Sequence, residues 1–506
     1  MQKLIWGFFG NMKIIDPYIF RDYDIRGVVG ASFNEKLVQE YERWYGKFPG
    51  LTLPLELAEK IGQAYGTIIR KEGGKKVLIG HELRPFAEEL TNAFIKGTRK
   101  SGCDVIDAGV TLTPIVYFLN QHLSFDGGVN VTGSHNVYFF NGFKLMKKGN
   151  WPLYGEEIQK LKKMIEDEDL LEDSQGGYEK IEGFPEYEKY FLSHIKLSKK
   201  MKVVIDTGNG SAGMFAPDLF KKLGCEVIGL YTEVDTSFPN HIPDPEARQS
   251  LGELQKLVVK EKADLGIAFD ADGDRVGFIT EKGEYVDTDM PLLLLAKDAL
   301  TRNPGKKVLF DAKCSQLLEE LVPQYGGVPL MHRTGHAPIK ETLRKDSDIT
   351  IAGEVSGHLF LCEDYYKIDD GLYSGAKVLE LVANSGKELS ALIDQFPKRV
   401  RTPEIKLPCA DEAKDKVVGE ITAKLQKNYS VRTVDGARFQ YNEKGWGLIR
   451  KSNTSPYITI RVEAETEDEV LKIKNILADE LEKYPEVGDK LNRKEVTTLT
   501  GRLGWL

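Results

Sequence analysis

The stretch LGIAFDADGDR, residues 265–275, is a five-residue apolar run that stops at three alternating aspartates, Asp270, Asp272 and Asp274, followed by Arg275. Five residues suit a strand better than a helix. A run with no polar face suits a strand covered on both sides, as in parallel sheets. Carboxylates at alternate positions of an extended turn can converge on one hard cation. Three oxygens with open positions suit Mg²⁺, which keeps sites for substrate phosphate. An EF-hand loop needs Gly at its sixth position, where Arg275 stands, and helices on both sides, where strand-like sequence stands. The plain alternative is a solvated acidic turn.

Similar apolar runs occur at residues 76–80, 104–109, 128–132, 201–206, 226–231 and 308–311. Amphipathic stretches at 85–101, 216–223 and 316–325 lie between them. Strand, helix and strand at this spacing predict α/β units with parallel or mixed sheets. The last hundred residues read differently: strands at 404–407, 429–433, 446–450 and 457–464, with helices at 411–427 and 467–483, an antiparallel α+β pattern. A chain of 506 residues exceeds one core. Charged, loop-like seams near 182–186, 282–287 and 397–403 divide it into 1–183, 184–287, 288–399 and 400–506. The first three are expected to be α/β units of similar topology and the last an α+β unit. Three successive α/β units suggest a structural repeat.

The net charge of -8 argues against general nucleic-acid binding. Cysteines 103, 225, 314, 362 and 409 are odd in number and form no C-x-x-C pair, which favours a reducing compartment, hence the cytoplasm. The apolar stretches at 4–9 and 291–295 are too short for a signal core or a membrane span.

Four further motifs carry chemistry. TGSHN at 132–136 follows a buried strand, and Gly133 lets the backbone present Ser134 at the strand end. A hydrolase elbow would need G-x-S-x-G, and Thr132 and Asn136 stand at the flanking positions. Residues 206–213 contain G-x-G-x-x-G between a strand and a helix, with Glu233 about 20 residues on, the context of a dinucleotide fold. Arg450, Ser452, Asn453 and Thr454, with Arg461 beyond, can form a phosphate cradle. Glu354, Ser356 and His358 lie on a Gly-flanked turn that can hydrogen-bond sugar hydroxyls.

Taken in order, YDIRG at 23–27, TGSHN at 132–136, NGFK at 141–144, DTGNG at 206–210, FPNH at 238–241, DADGDR at 270–275, DAKCS at 311–315, RTGH at 333–336, GEVSGH at 353–358 and RKSNT at 450–454 make the chain resemble the α-D-phosphohexomutases. The resemblance is to the phosphomannomutase/phosphoglucomutase branch. It implies three α/β domains of similar topology and an α+β domain around one cleft. It implies that Ser134 carries phosphate and, with Asp270, Asp272 and Asp274, ligates Mg²⁺. Arg26, His135, Lys144 and His336 become the catalytic candidates. Tyr23, Arg275, Lys313, Thr334, Gly335, Glu354, Ser356, His358, Arg450, Ser452, Asn453 and Thr454 become the substrate-binding set. The implied reaction interconverts hexose 1-phosphate and hexose 6-phosphate through a hexose 1,6-bisphosphate, which also serves as activator. The expected partners are small sugar phosphates, with no nucleic acid or membrane. Phosphoglucosamine mutase and, from another class, an NAD-dependent oxidoreductase using the 208–213 loop are the alternatives. The chain departs from the family pattern at Val137, where Pro is usual, and at Glu82, where Asp is usual. A segment near 35–52 looks added, and 484–506 looks long.

Overall fold

The computed structural model describes residues 16–30, 35, 38, 39, 42, 48–363, 365–453, 455–488 and 490–496. Half of the added segment near 35–52, part of the tail at 484–506, and Thr454 lie outside these. Four sheets organise the chain, and the first three repeat one plan.

In the first sheet, β2 (Lys76–His81) lies between β3 (Asp104–Val110) and β4 (Gly127–Val131), all parallel. Strand β5 (Phe140–Lys147) then returns antiparallel beside β4. The edges are β1 (Ile25–Val28) on β5 and β7 (Tyr178–Lys180) on β3, with β6 (Trp151–Pro152) also on β5. In the second sheet, β8 (Lys202–Asp206) lies between β9 (Glu226–Leu230) and β10 (Leu265–Phe269). Strand β11 (Val276–Thr280) returns beside β10, and β12 (Tyr285–Val286) follows it. In the third, β13 (Lys307–Asp311) lies between β14 (Val328–His332) and β15 (Ile349–Gly353), and β16 (Leu359–Leu361) returns beside β15. The spatial order is therefore second, first, third, returning fourth, three times over.

The fourth sheet is antiparallel throughout: β17 (Val400–Arg401) and β18 (Ile405–Pro408) pair with β22 (Tyr457–Ala464), which continues through β21 (Gly445–Lys451), β20 (Ala437–Asn442) and β19 (Ser430–Arg432). Helices Asp411–Leu425 and Glu467–Leu481 pack on it through Val417, Ile421, Val470 and Ile473.

Most of the apolar runs are strands, and β4 and β10 are buried at every residue, as their composition requires. Strand β9 corrects the expectation of burial on both faces. It sits at a sheet edge, pairs only with β8, and none of its residues is buried. The repeat places one turn in corresponding positions of each unit, between the third parallel strand and its returning partner. In the first unit that turn carries Ser134, in the second Asp270 to Arg275, and in the third Glu354 to His358. All three lie at carboxyl ends of parallel strands, where backbone N–H groups and loops face open space. Among the described residues no helix is long and apolar enough to cross a membrane.

Candidate active site

Ser134 is held by its loop in a conformation that few side chains adopt. Its φ is +52°, in the left-handed region, and it is 5% exposed. The loop is tied from beneath by Arg84. Arg84 Nε donates to Glu82 Oε1 (3.0 Å), Nη2 to the Ser134 carbonyl (2.5 Å), and Nη1 to the carbonyls of Asn136, Val137 and Phe140 at 2.9–3.1 Å. Glu82 Oε1 also accepts from Thr132 Oγ1 and Gly133 N. The departures at Glu82 and Val137 are both absorbed in this network. Gly133 is required by close approach: a Cβ there would sit 2.5 Å from the Arg84 guanidinium. His135 Nδ1 is 3.3 Å from Ser134 Oγ. Burial, then Arg275, pushes the His135 pKa well down, so the imidazole is neutral.

Ser134 Oγ lies 3.5 Å from Asp270 Oδ2. Asp270, Asp272 and Asp274 are each 0% exposed, and one oxygen of each can reach a common ion. Among the described residues Asp272 Oδ1 and Asp274 Oδ1 have no hydrogen-bond partner. Burial, then Asp272 and Asp274, pushes the Asp270 carboxyl well above its usual range. Such crowding of buried carboxylates is relieved by a divalent cation, and an all-oxygen donor set suits a hard one. The residues therefore fit a metal. Lys144 Nζ already bridges two of them, donating to Asp272 Oδ2 (2.9 Å) and to Asp274 Oδ2.

On the far side of the cleft, Arg450 Nε donates to Asp435 Oδ2 (2.7 Å), and the same oxygen accepts from Thr334 N (3.0 Å). Tyr23 Oη donates to the Thr334 carbonyl (2.6 Å), and Asn453 Nδ2 donates to Tyr23 Oη. Lys414 Nζ holds the cradle turn by the carbonyls of Ser452 and Ser455. The segment carrying Tyr23 thus meets the third and fourth units. Further out, Arg21 donates to Asp411 across the same junction.

Between these poles, Glu354 Oε1 accepts from Gly335 N (2.6 Å). Burial, then Asp311, pushes the Glu354 carboxyl up to about 7. Lys313 Nζ donates to Glu404 Oε2 (2.6 Å) and lies 3.7 Å from Glu246 Oε1. His336 Nε2 is 3.5 Å from Asp24 Oδ2, which also accepts from Arg26 Nη2 (3.1 Å). Burial, then Lys340, lowers the His336 pKa, leaving a neutral ring that can take a proton.

One cleft is lined by Tyr23, Arg26, Ser134, His135, Lys144, Arg275, Lys313, Thr334, Gly335, His336, Glu354, Ser356, His358, Arg450, Ser452 and Asn453. All four units contribute, and the three aspartates lie behind the wall. Thr454 lies outside the described residues. Two expectations are corrected. Arg461 is 2% exposed and faces Asp287 at 3.7 Å, so it belongs to a buried ion network outside the cleft. The glycines of 206–213 are packed, with no backbone left open to a pyrophosphate. A Cβ on Gly210 would meet Ala271 Cα at 2.6 Å, and one on Gly213 the Thr232 carbonyl at 2.2 Å. That loop buttresses the aspartate turn, which removes the dinucleotide alternative.

Sequence reasoning missed Asp24, Glu246, Glu404 and Lys406, which also line the cleft. Lys406 alternates with buried Ile405 and Leu407 on β18, so in sequence it reads as an ordinary solvent-facing lysine. Only the neighbouring units make that face a cleft wall.

Four successive segments match the description phosphoglucomutase/phosphomannomutase: alpha/beta/alpha domain I at 17–172, domain II at 185–283, domain III at 287–400, and the C-terminal domain at 404–480. The chain is 40% identical over 464 residues to a phosphomannomutase/phosphoglucomutase of Pseudomonas aeruginosa, covering 92% of this chain and 95% of that one. It is 36% identical over 473 residues to a phosphoglucomutase of Neisseria meningitidis, covering 93% and 98%. A crystal structure of a phosphoglucomutase/phosphomannomutase family protein from Burkholderia thailandensis superposes with a TM-score of 0.84 at 36% identity, covering 94% and 100%.

Proposed function

Since this chain belongs to the phosphoglucomutase/phosphomannomutase family, we propose that it interconverts hexose 1-phosphates and hexose 6-phosphates, with Ser134 as the phosphate carrier. The observation that supports the reading is one cleft with a distinct polar group of residues at each end, each suited to a phosphate. Ser134, backed by three buried carboxylates, is one, and the Arg450 turn is the other.

Cleavage of a phosphate monoester is very slow without charge neutralisation and alignment, and the site is arranged for both. Mg²⁺, held by Asp270, Asp272, Asp274 and the Ser134 phosphate, would supply Lewis-acid neutralisation of the transferring group. Arg275 and Lys144 hold positive charge beside Ser134. Arg450, Ser452 and Asn453 grip the phosphate that is not reacting, and Glu354 with Ser356 accepts hydrogen bonds from sugar hydroxyls. His336, neutral and facing the cleft, takes the proton of the attacking hydroxyl. The product of that attack is a hexose 1,6-bisphosphate. It must present its other phosphate to Ser134, so one cradle serves both ends of the sugar. The links between Tyr23, Thr334 and Asn453 must open for that turn. A carboxylate at Glu354 can read two adjacent hydroxyls, whereas C2 faces no group assigned here. Mannose and glucose phosphates are therefore both substrates.

The test is kcat/KM for mannose 1-phosphate and glucose 1-phosphate, with intact mass, for wild type and Ser134→Ala. Wild type should carry one phosphate and use both sugars. Ser134→Ala should lose the phosphate and nearly all turnover. A variant keeping more than roughly a tenth of the activity, a barrier change under about 1.4 kcal/mol, would sink the carrier role. A preference above roughly 10³ between the sugars would show that C2 is read.

A further inference from the structure

Arg275 Nε donates to His358 Nε2 at 3.0 Å. A guanidinium has only donors, so Nε2 is the bare nitrogen of the ring and the proton of the neutral imidazole sits on Nδ1. That atom faces Asp369 Oδ2 at 3.1 Å and Asp274 Oδ1 at 3.8 Å. Among the described residues neither His358 Nδ1 nor Asp369 Oδ2 has a hydrogen-bond partner, so each is the nearest polar atom left to the other, while His336 Nδ1 stands 3.8 Å from the same oxygen. The second oxygen of Asp369 accepts from Lys340 Nζ at 2.9 Å, and that ammonium lies 4.0 Å from the centroid of the Tyr117 ring. Asp369, Lys340 and His358 are 0%, 1% and 2% exposed. His358 and Arg275 line the cleft, whereas Asp369 and Lys340 lie behind it. Asp274, His358 and Asp369 are close enough together to hold a cation. However, a ring that accepts at Nε2 carries its proton on Nδ1, the atom such a cation would need.

The backbone around this chain of contacts is fixed on two sides. Val276 N donates to the Gly357 carbonyl (3.1 Å), and Gly371 N to the Gly273 carbonyl (3.0 Å). At Gly371 a Cβ would stand 2.5 Å from the Arg275 carbonyl, so this approach requires glycine. The turn carrying Asp369 is thereby docked on the aspartate loop, and the His358 loop is docked beside it.

We propose that Asp369, anchored by Lys340, is a positioning residue for phosphoryl transfer: it keeps the His358 proton on Nδ1, so that Nε2 accepts from Arg275 and holds its guanidinium in the cleft beside Ser134. The inference rests on the mutase reading above. It assigns Asp369 no contact with substrate. Its effect reaches the reaction through two side chains, His358 and then Arg275. Lys340 can only donate, so in Asp369→Asn the amide oxygen must turn to Lys340 and the NH₂ group to His358. The ring then accepts at Nδ1 and carries its proton on Nε2, where it meets the Arg275 donor. Partners that orient a metal-ligating imidazole from behind are typically worth roughly 10–100-fold, and the same scale is expected of Asp369 behind His358.

The experiment is a long-range ¹H–¹⁵N spectrum of protein labelled at its eight histidines, with His358 assigned by loss of its signals in His358→Gln. It is paired with steady-state kinetics on glucose 1-phosphate. Wild type should show the Nδ1–H tautomer at His358, and Asp369→Asn the Nε2–H tautomer. In that variant kcat should fall roughly 10–100-fold, with KM within about threefold. A wild-type ring protonated on Nε2 overturns the proposal whether or not the variant folds. So does an Asp369→Asn protein with wild-type kcat, or one whose loss appears with an unchanged tautomer. Wild-type protein with the Nδ1–H tautomer and no mutase activity would instead remove the functional reading and leave the tautomer assignment standing.

Discussion

Replacing Arg84 with Leu removes the side chain that ties the Ser134 loop to the first sheet. The guanidinium makes five hydrogen bonds: one to Glu82 and four to carbonyls of the loop, at Ser134, Asn136, Val137 and Phe140. Both charged side chains of the pair are 0% exposed. Leu fills most of the stem's volume but leaves the Glu82 charge buried without its partner, and such losses cost about 3–5 kcal/mol. The four carbonyls also lose their donor. At about 2–4 °C per kcal/mol for a domain of this size, the calorimetric transition of the first unit should fall by about 6–20 °C. Ser134 must also drift, because its φ of +52° persists only while the surroundings impose it. A misplacement near 1 Å costs on the order of 100-fold in rate. The assay is calorimetry of unphosphorylated Arg84→Leu beside wild type, with kcat measured well below the variant's transition. A transition within about 2 °C of wild type and kcat within about threefold would refute the reasoning, because a buried ion pair with five bonds cannot be that idle.

Chelation by EDTA should abolish turnover, and added Mg²⁺ should restore it; full activity in protein shown by elemental analysis to be metal-free would dismiss the role given to Asp270, Asp272 and Asp274. Arg450→Ala should lower kcat/KM for both mannose and glucose 1-phosphate by roughly 10–100-fold, the worth of one charge-assisted contact of about 1.5–3 kcal/mol. An unchanged kcat/KM would move the distal phosphate elsewhere. Glu354 is pushed up to about 7, by burial and then Asp311, and only its ionised form accepts from two hydroxyls, so kcat/KM should fall as the pH drops through about 7. The substrate phosphate ionises near pH 6 in either protein, so the comparison with Glu354→Gln isolates the inflection. Profiles of identical shape would exclude Glu354 as its source. For stability the sign is opposite. The buried site favours the neutral acid, so that contribution is full below an unfolded value near ~4.3 and is lost as the pH rises through about 7.

Within the sequence itself lay every property set by contiguous residues. The apolar run before Asp270 and the aspartates after it are one local statement, since a strand of five residues and the turn that ends it are governed by neighbours in the chain. For the same reason Ser134, Glu354 and Arg450 could be picked out from the turns that carry them. Position in space was another matter. The returning strands were hard to read: β5 carries Asn141, Lys144 and Lys147 among apolar residues, and Lys144 is buried only because Asp272 and Asp274 of another unit neutralise it. Strand β9 has the composition of an interior strand and lies at an edge, because strand order is decided by which crossovers pack, not by the strand's own residues. Glu246, Lys313 and Glu404 are more than sixty residues apart in sequence and meet within 4 Å. Such contacts depend on how the four units pack on one another, the first three of them through one shared apolar core. Charge neutralisation across those seams, invisible to any window along the chain, turned a set of strand-end loops into one cleft.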